Sequence, residues 1–244
     1  MNPWNRPNAA VAQAQGTAVD AGLRSYMLKV YNYMASGVLL TAIVSYFAGT
    51  SPAFQQMLIT VGPDGGAQVS PLFWIIAFAP LAMVFFVLPR MARMSAQGAQ
   101  MTFWAFAFIM GLASWSIFAV YTEASILRVL LITSGTFGLL SIYGYSTKRD
   151  VSALSSFIVV GILAVFVTSM LNVYVFKSSG LDLALSYLGV LLALGLTAWK
   201  TQEAKQIYYT HGRSGNAAII AATDLYFAFV YLFMNLLRLL GDRR

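Results

Sequence analysis

The chain has 244 residues, 59% of them hydrophobic and 9% charged, with a mean hydropathy of +0.72; a soluble domain carries about 25% charged side chains, so the composition excludes a water-soluble fold and predicts an integral membrane protein. No cysteine is present, and the single histidine, His211, stands without a partner in a polar stretch expected to be a loop, which excludes disulfides, thiolate chemistry and a metal site built from these ligands. The formal charge of +7 lies at the expected membrane boundaries, which predicts control of topology and not nucleic-acid binding.

The first twenty residues, MNPWNRPNAAVAQAQGTAVD, lack the basic region and apolar run of a cleavable signal peptide. Residues 1–23 are expected to form a polar, flexible, cytoplasmic tail ahead of a single domain over residues 24–244. Crossing a bilayer as a helix takes about 20 apolar residues. Runs of that kind are expected at Met27–Gly49, Pro71–Leu88, Met101–Tyr121, Ser125–Tyr145, Val151–Phe176, Leu183–Trp199 and Ala217–Leu240. Their length and continuity argue against a β-barrel, whose strands are short and alternating. Between the first two, Thr50–Ser70 carries Pro52, Pro63, Asp64, Gly65 and Gly66 and reads as turns. No linker or composition shift divides the chain. The fold class is therefore an all-α integral membrane bundle of seven transmembrane helices.

Basic residues orient such a bundle. Arg6, Arg24, Lys29, Arg90, Arg93, Lys148, Arg149, Lys200, Lys205 and Arg213 fall on one side, against Arg128 and Lys177 on the other. The amino terminus is expected in the cytoplasm. Seven full crossings would leave Arg238, Arg243 and Arg244 outside, against this rule. The seventh segment is thus either re-entrant or a late span on which charge has little hold.

Asp224 is the one acidic residue inside an apolar run, flanked by AAIIAAT and LYFAFVYLF. Intramembrane carboxylates are costly and mark functional positions. Asp224, Ala228, Tyr231, Asn235 and Arg238 recur at helical spacing on one face, expected to look into the bundle. Asp224 reads either as a titrating acid or as a boundary carboxylate complementing the helix N-terminus. Glu123 is expected in a short, solvated external turn, with attraction of cations as the alternative. Gly138, Gly144 and Gly161 are expected to allow close helix approach. Among Trp4, Trp74, Trp104, Trp115 and Trp199, those near span ends fit interfacial anchoring. No phosphate loop, nucleophile–base set or pair of catalytic carboxylates occurs, so neither enzymatic chemistry nor a cofactor or metal is expected.

Several segments carry a family resemblance. LTAWKTQ (Leu196–Gln202) and DLYFAFVYLFMNLLRLLG (Asp224–Gly241) resemble the C-terminal signature of the Bax inhibitor-1 (YccA-like) membrane proteins. FAVYTEASILRVLLITSGTFGLLSIYGYSTKRDVSALSSF (Phe118–Phe157), above all its Gly144–Asp150 element, and MLKVYNYMASGVLLTAIVSYFAG (Met27–Gly49) resemble the family's middle and first span. The resemblance implies six helices around a central, more polar seventh, in a bacterial inner membrane. For typical members it implies a pH-dependent calcium leak, and for some bacterial ones control of a membrane-anchored ATP-dependent protease.

The resemblance also marks a departure. The family's signature normally reads D-T-Q in the first segment and L-Y-L-D-F-I-N-L-F in the second, its two aspartates forming a buried proton-sensing pair. Here Lys200 and Ala228 stand at those positions. A basic residue that clasps the acid pair maps onto Arg90, which would also serve simply as a positive-inside marker. Two carboxylates in one dry site repel and so sense protons, whereas a lysine and an aspartate favour each other's charge. Lys200 and Asp224 are therefore expected to pair, within about 6 Å, and replace the titratable latch; the alternative for Lys200 is a lysine snorkelling to the interface. The expected function is a non-enzymatic interaction or accessory subunit, its partners the bilayer and other integral membrane proteins. The alternative is a cation leak using Asp224 as surrogate acid, the one case that involves Ca2+.

Overall fold

A computed structural model describes residues 9–61, 66–147, 149–211 and 215–244. Trp4, Arg6, Pro63, Asp64, Gly65, Lys148 and Arg213, to which the sequence assigns boundary or turn roles, lie outside the described residues.

Among the described residues nine α-helices follow one another: α1 (Ala9–Thr50), α2 (Pro52–Leu58), α3 (Pro71–Ala82), α4 (Ala96–Ala113), α5 (Ser116–Val120), α6 (Glu123–Ser146), α7 (Ser155–Leu171), α8 (Ser179–His211) and α9 (Ala217–Leu240). Among the described residues seven helical stretches are long and apolar enough to cross a membrane: 21–50, 71–93, 96–120, 123–146, 151–176, 179–210 and 217–240. Four of the α-helices begin as their residues dictate. Ser51, Ser70, Ser95 and Thr122 each accept from the backbone N–H three residues on, and Pro52 and Pro71 take the first helical position, where an N–H would be unsatisfied anyway.

Several boundaries differ from the sequence reading. α1 starts at Ala9, so part of the expected tail is helix, and Leu23 is buried in the core. α8 continues past Trp199 to His211, which places His211 at a helix end and not in a loop; TQEAKQ consists mostly of good helix formers and keeps the turn going. The Thr50–Ser70 segment holds α2 and an antiparallel pair, β1 (Ile59–Val61) with β2 (Ala67–Val69), in register Ile59↔Val69. Pro80 lies inside α3 and removes a backbone donor. The segment then loosens into a π turn at Met83–Val87 and tightens into a 3-10 stretch at Leu88–Arg93.

α7 likewise ends in a π turn, Asn172–Phe176, closed by Lys177 at φ 48°. Asn172 holds that turn with its amide, donating to the Ser178 carbonyl and accepting from the Ser178 N–H, each at 3.0 Å. Ahead of α7, the Asp150 carboxylate accepts from the Ser152 N–H and hydroxyl, which holds its pKa below the usual carboxylate range.

α9 is the axis. It packs against α8, α1, α6 and α4, and 61% of its apolar window is buried, against 6% for the second span and 11% for the fifth. In lipid the hydrophobic effect does not press helices together, so close packing over small residues must. Ala217, Ala218, Ala221, Ala222 and Ala228 supply them on α9, all buried. Gly111 of α4 lies so close to α1 that an added Cβ would stand 2.9 Å from the Thr41 carbonyl, and Gly144 of α6 so close to α8 that one would stand 2.5 Å from the Ala198 carbonyl.

α9 is unbroken. Its 24 residues span about 36 Å at 1.5 Å each. At its start Asn216 donates to the Met91, Ala92 and Met94 carbonyls. At its far end Asp242 meets the start of α6: its carbonyl accepts from Thr122 N–H and its N–H donates to Ser125 Oγ. The seventh segment therefore runs the length of the bundle and is not re-entrant.

Candidate functional site

α8 and α9 are antiparallel, and the register of their contact decides which polar residues meet. Asn235 of α9 fills the space left by Gly189 of α8, where an added Cβ would lie 2.1 Å from its Oδ1. Eleven residues back along α9 is Asp224, and eleven residues on along α8 is Lys200. The structure brings these two together: Lys200 Nζ stands 3.2 Å from Asp224 Oδ2. The same ammonium reaches Glu203 Oε2 at 2.7 Å, one turn further along α8, and lies 4.5 Å from the centre of the Trp199 ring. Glu203 is absent from the sequence reading, although its i,i+3 spacing from Lys200 is a helical-neighbour signal. The Lys200 side chain is 19% exposed and the two carboxylates about a third, 34% and 35%. The cluster thus sits at the rim, within reach of water.

Arg90 stands outside this cluster. Its guanidinium donates to the Phe86 carbonyl of its own segment, and its side chain is exposed. Among the described residues it makes no ion pair. Ala228, one turn beyond Asp224, is fully buried. The rest of the stripe divides: Asn235 is buried and donates to the Tyr231 carbonyl at 2.8 Å, while Arg238 is exposed. The face expected to look wholly inward thus looks onto α8 and leaves the bundle at its last turn.

Lys200 and Asp224 have neighbours that the sequence does not advertise. Gln202 ties the α6–α7 connection to α8, accepting from the Val151 N–H at 2.9 Å and donating to the Arg149 carbonyl at 2.8 Å. Thr201 returns its hydroxyl to the Thr197 carbonyl. Below the cluster the axis is closed. Tyr226 is fully buried, its hydroxyl 2.7 Å from Thr41 Oγ1, which itself donates to the Ala107 carbonyl. Phe103 and Phe106 meet the Tyr226 ring edge-on at 5.9 and 5.7 Å. Leu225 and Leu232 are buried on the same helix.

The glycines and Glu123 also resolve. Gly144 and Gly161 pack closely, the latter against Leu192, but Gly138 has nothing within 4 Å of an added Cβ and borders an open groove. Glu123 opens α6 and reaches Arg244 at 3.6 Å. No group of three or more His, Asp or Glu that could hold a metal occurs among the described residues.

Residues 23–244 match the family described as "Inhibitor of apoptosis-promoting Bax1". The chain belongs to the Bax inhibitor-1 family. A Rickettsia prowazekii protein is 38% identical over 228 residues, 92% of each chain. The inner membrane protein YbhL of Escherichia coli is 36% identical over 230 residues, 92% of this chain and 94% of its own. A Caulobacter vibrioides protein is 34% identical over the whole of both chains. The family is a multi-pass membrane family, and in the present chain the last span is the central one. In the two segments that resemble the family signature, this Bax inhibitor-1 member has Lys200 beside Asp224 and a buried Ala228.

Proposed function

We propose that this chain is a non-enzymatic inner-membrane protein, its amino terminus cytoplasmic, that acts as an accessory or regulatory subunit of other integral membrane proteins and does not itself conduct cations. The observation that carries this reading is the Lys200 ammonium held between Glu203 and Asp224 at 2.7 and 3.2 Å. The acids that could draw a cation are already engaged. A cation entering beside Lys200 meets a like charge worth roughly 3 kcal/mol at ~5 Å and an effective dielectric near 20. Beyond it the path offers Ala228, Leu225 and the Tyr226–Thr41 contact, where selective passage would need carboxylates or carbonyls. The basic residues concentrated on the amino-terminal side support the orientation, and the YbhL likeness supports the inner membrane. The second and fifth spans, only 6% and 11% buried, leave broad apolar faces for lipid or partner helices. A membrane-anchored protease is one partner class that the family suggests.

One observation favours a second reading. Two carboxylates share a single ammonium at a water-accessible rim, leaving one formal negative charge that could admit a cation, with Asp224 as the acid of a leak. Calcium flux into proteoliposomes between pH 6 and 8 separates the two. The chain as it stands is expected to be silent, and Lys200→Asp/Ala228→Asp to leak with pH dependence. A native chain that leaks, and stops on Asp224→Asn, overturns the first reading. Blue-native electrophoresis of solubilised membranes adds the positive test: migration as a larger hetero-complex supports the subunit role, and migration as a free monomer removes it.

A further inference from the structure

Between α1 and α6 the bundle leaves a lateral groove of about 1020 Å³, at the top of the roughly 300–1,000 Å³ range of small-molecule sites. Its floor is Phe229 of the central helix and Phe137 of α6. Its walls are open sideways, with Leu39 61% and Ile142 68% exposed, at the depth where a bilayer supplies acyl chains. Gly138 lies along it with open space where a side chain would stand. From Arg24 to Ala42, both lining it, the groove follows α1 for about 27 Å at 1.5 Å per residue. That exceeds the apolar depth of one leaflet, about 15 Å.

The charged groups are not spread along it. Arg24 of α1 lines one end together with Tyr145 and Ser146 of α6. Lys205 of α8 adds a second cation there, donating to the Tyr145 carbonyl at 3.2 Å and lying 5.1 Å from the centre of its ring. Deeper, the lining is apolar and uncharged apart from the hydroxyls of Tyr31, Ser134 and Ser141. Ser134 returns its hydroxyl to the Leu130 carbonyl, and Ser141 lies 3.4 Å from the Thr201 hydroxyl. Among the described residues no carboxylate lines the groove. A long apolar slot with cations only at its membrane-surface end is complementary to one amphipathic molecule: acyl chains with an anionic head. Basic pockets between transmembrane helices bind anionic head groups in this way.

We propose that the α1–α6 groove binds an anionic phospholipid from the leaflet on the amino-terminal side of α1, its phosphate at Arg24 and Lys205 and an acyl chain laid over Gly138 and Phe229. The test is native mass spectrometry of the full chain released from nanodiscs holding equal palmitoyl-oleoyl phosphatidylglycerol and phosphatidylcholine. The folded chain is expected to retain one lipid and to favour phosphatidylglycerol about fivefold, which converts to about 1 kcal/mol in all. Gly138→Phe and the milder Gly138→Leu, which project into the slot from a Cβ position with nothing within 4 Å, are expected to abolish retention of both lipids. Arg24→Gln is expected to keep retention and lose most of the preference. Equal retention by Gly138→Phe and the unaltered chain overturns the proposal. So does an absence of preference for phosphatidylglycerol, or a dimer that Gly138→Phe dissociates, which would assign the groove to a second copy of the chain.

Discussion

Lys200 shows how one residue changes the chemistry of a scaffold. An ammonium between two carboxylates favours their ionised forms, and removing it leaves two like charges facing each other. Lys200→Met is therefore expected to cost more than Asp224→Asn, about 1–2 kcal/mol after allowance for the partial exposure of the carboxylates. Thermal unfolding in detergent would measure it. In a double-mutant cycle the two changes should couple by more than about 0.5 kcal/mol; simple additivity would show that the 3.2 Å contact does not bind the two helices. Two of the three members of this site were legible in the sequence. Asp224 stands out because charges are rare in apolar spans, and Lys200 because it falls in a segment with a family resemblance. Glu203 does not, because it falls beyond the hydropathy minimum in a stretch that reads as the start of a loop, and only the continuation of α8 brings it back beneath Lys200.

At the scale of elements, approach distances separate glycines that look alike in sequence. An added Cβ at Gly144 would stand 2.5 Å from the Ala198 carbonyl, whereas at Gly135 of the same helix nothing lies within 4 Å. Gly144→Ala is expected to push α6 off α8 at a cost of about 1–3 kcal/mol. Gly135→Ala is expected to be neutral, or stabilising by up to about 1 kcal/mol through helix propensity alone. Melting temperatures that move together for the two variants would refute the packing role of Gly144. Element boundaries divide in the same way. Starts marked by Ser or Thr followed by Pro are local chemistry and readable. The extension of α8 and the π turns after α3 and α7 are not, since spans of apolar residues look the same whichever hydrogen-bond pattern they adopt.

For the molecule as a whole, the carboxyl terminus closes the bundle at the end away from Lys200. Arg128 donates to the Leu240 carbonyl at 3.0 Å and to Asp242 at 2.9 Å, and the Arg244 N–H donates to the Val120 carbonyl at 2.9 Å. Exposed ion pairs contribute little, about 0–1 kcal/mol, but this one fastens the end of the central helix. Arg128→Ala is expected to change the global melting temperature only slightly while raising hydrogen exchange in the last turn of α9. Unchanged exchange there would mean that packing of α9 holds the terminus without the clasp. The clasp also accounts for basic residues on the side that carries few: Arg128 is paired with Asp242 and Arg244 with Glu123.

The sequence by itself determined the class of the molecule, the number and rough extent of its spans, and the presence of Lys200 and Asp224 at the ends of two of them. Each of these depends on residues close together in the chain, because hydropathy over about 20 residues decides membrane crossing and a cap acts within one turn. Only the tertiary structure decided that Glu203 joins Lys200 and Asp224, that Arg90 does not, that Tyr226 closes the axis on Thr41, and that α1 and α6 part to leave a groove. Those facts join residues separated by tens to nearly two hundred positions, and the register and spacing of packed helices, which no local run of residues encodes, set them.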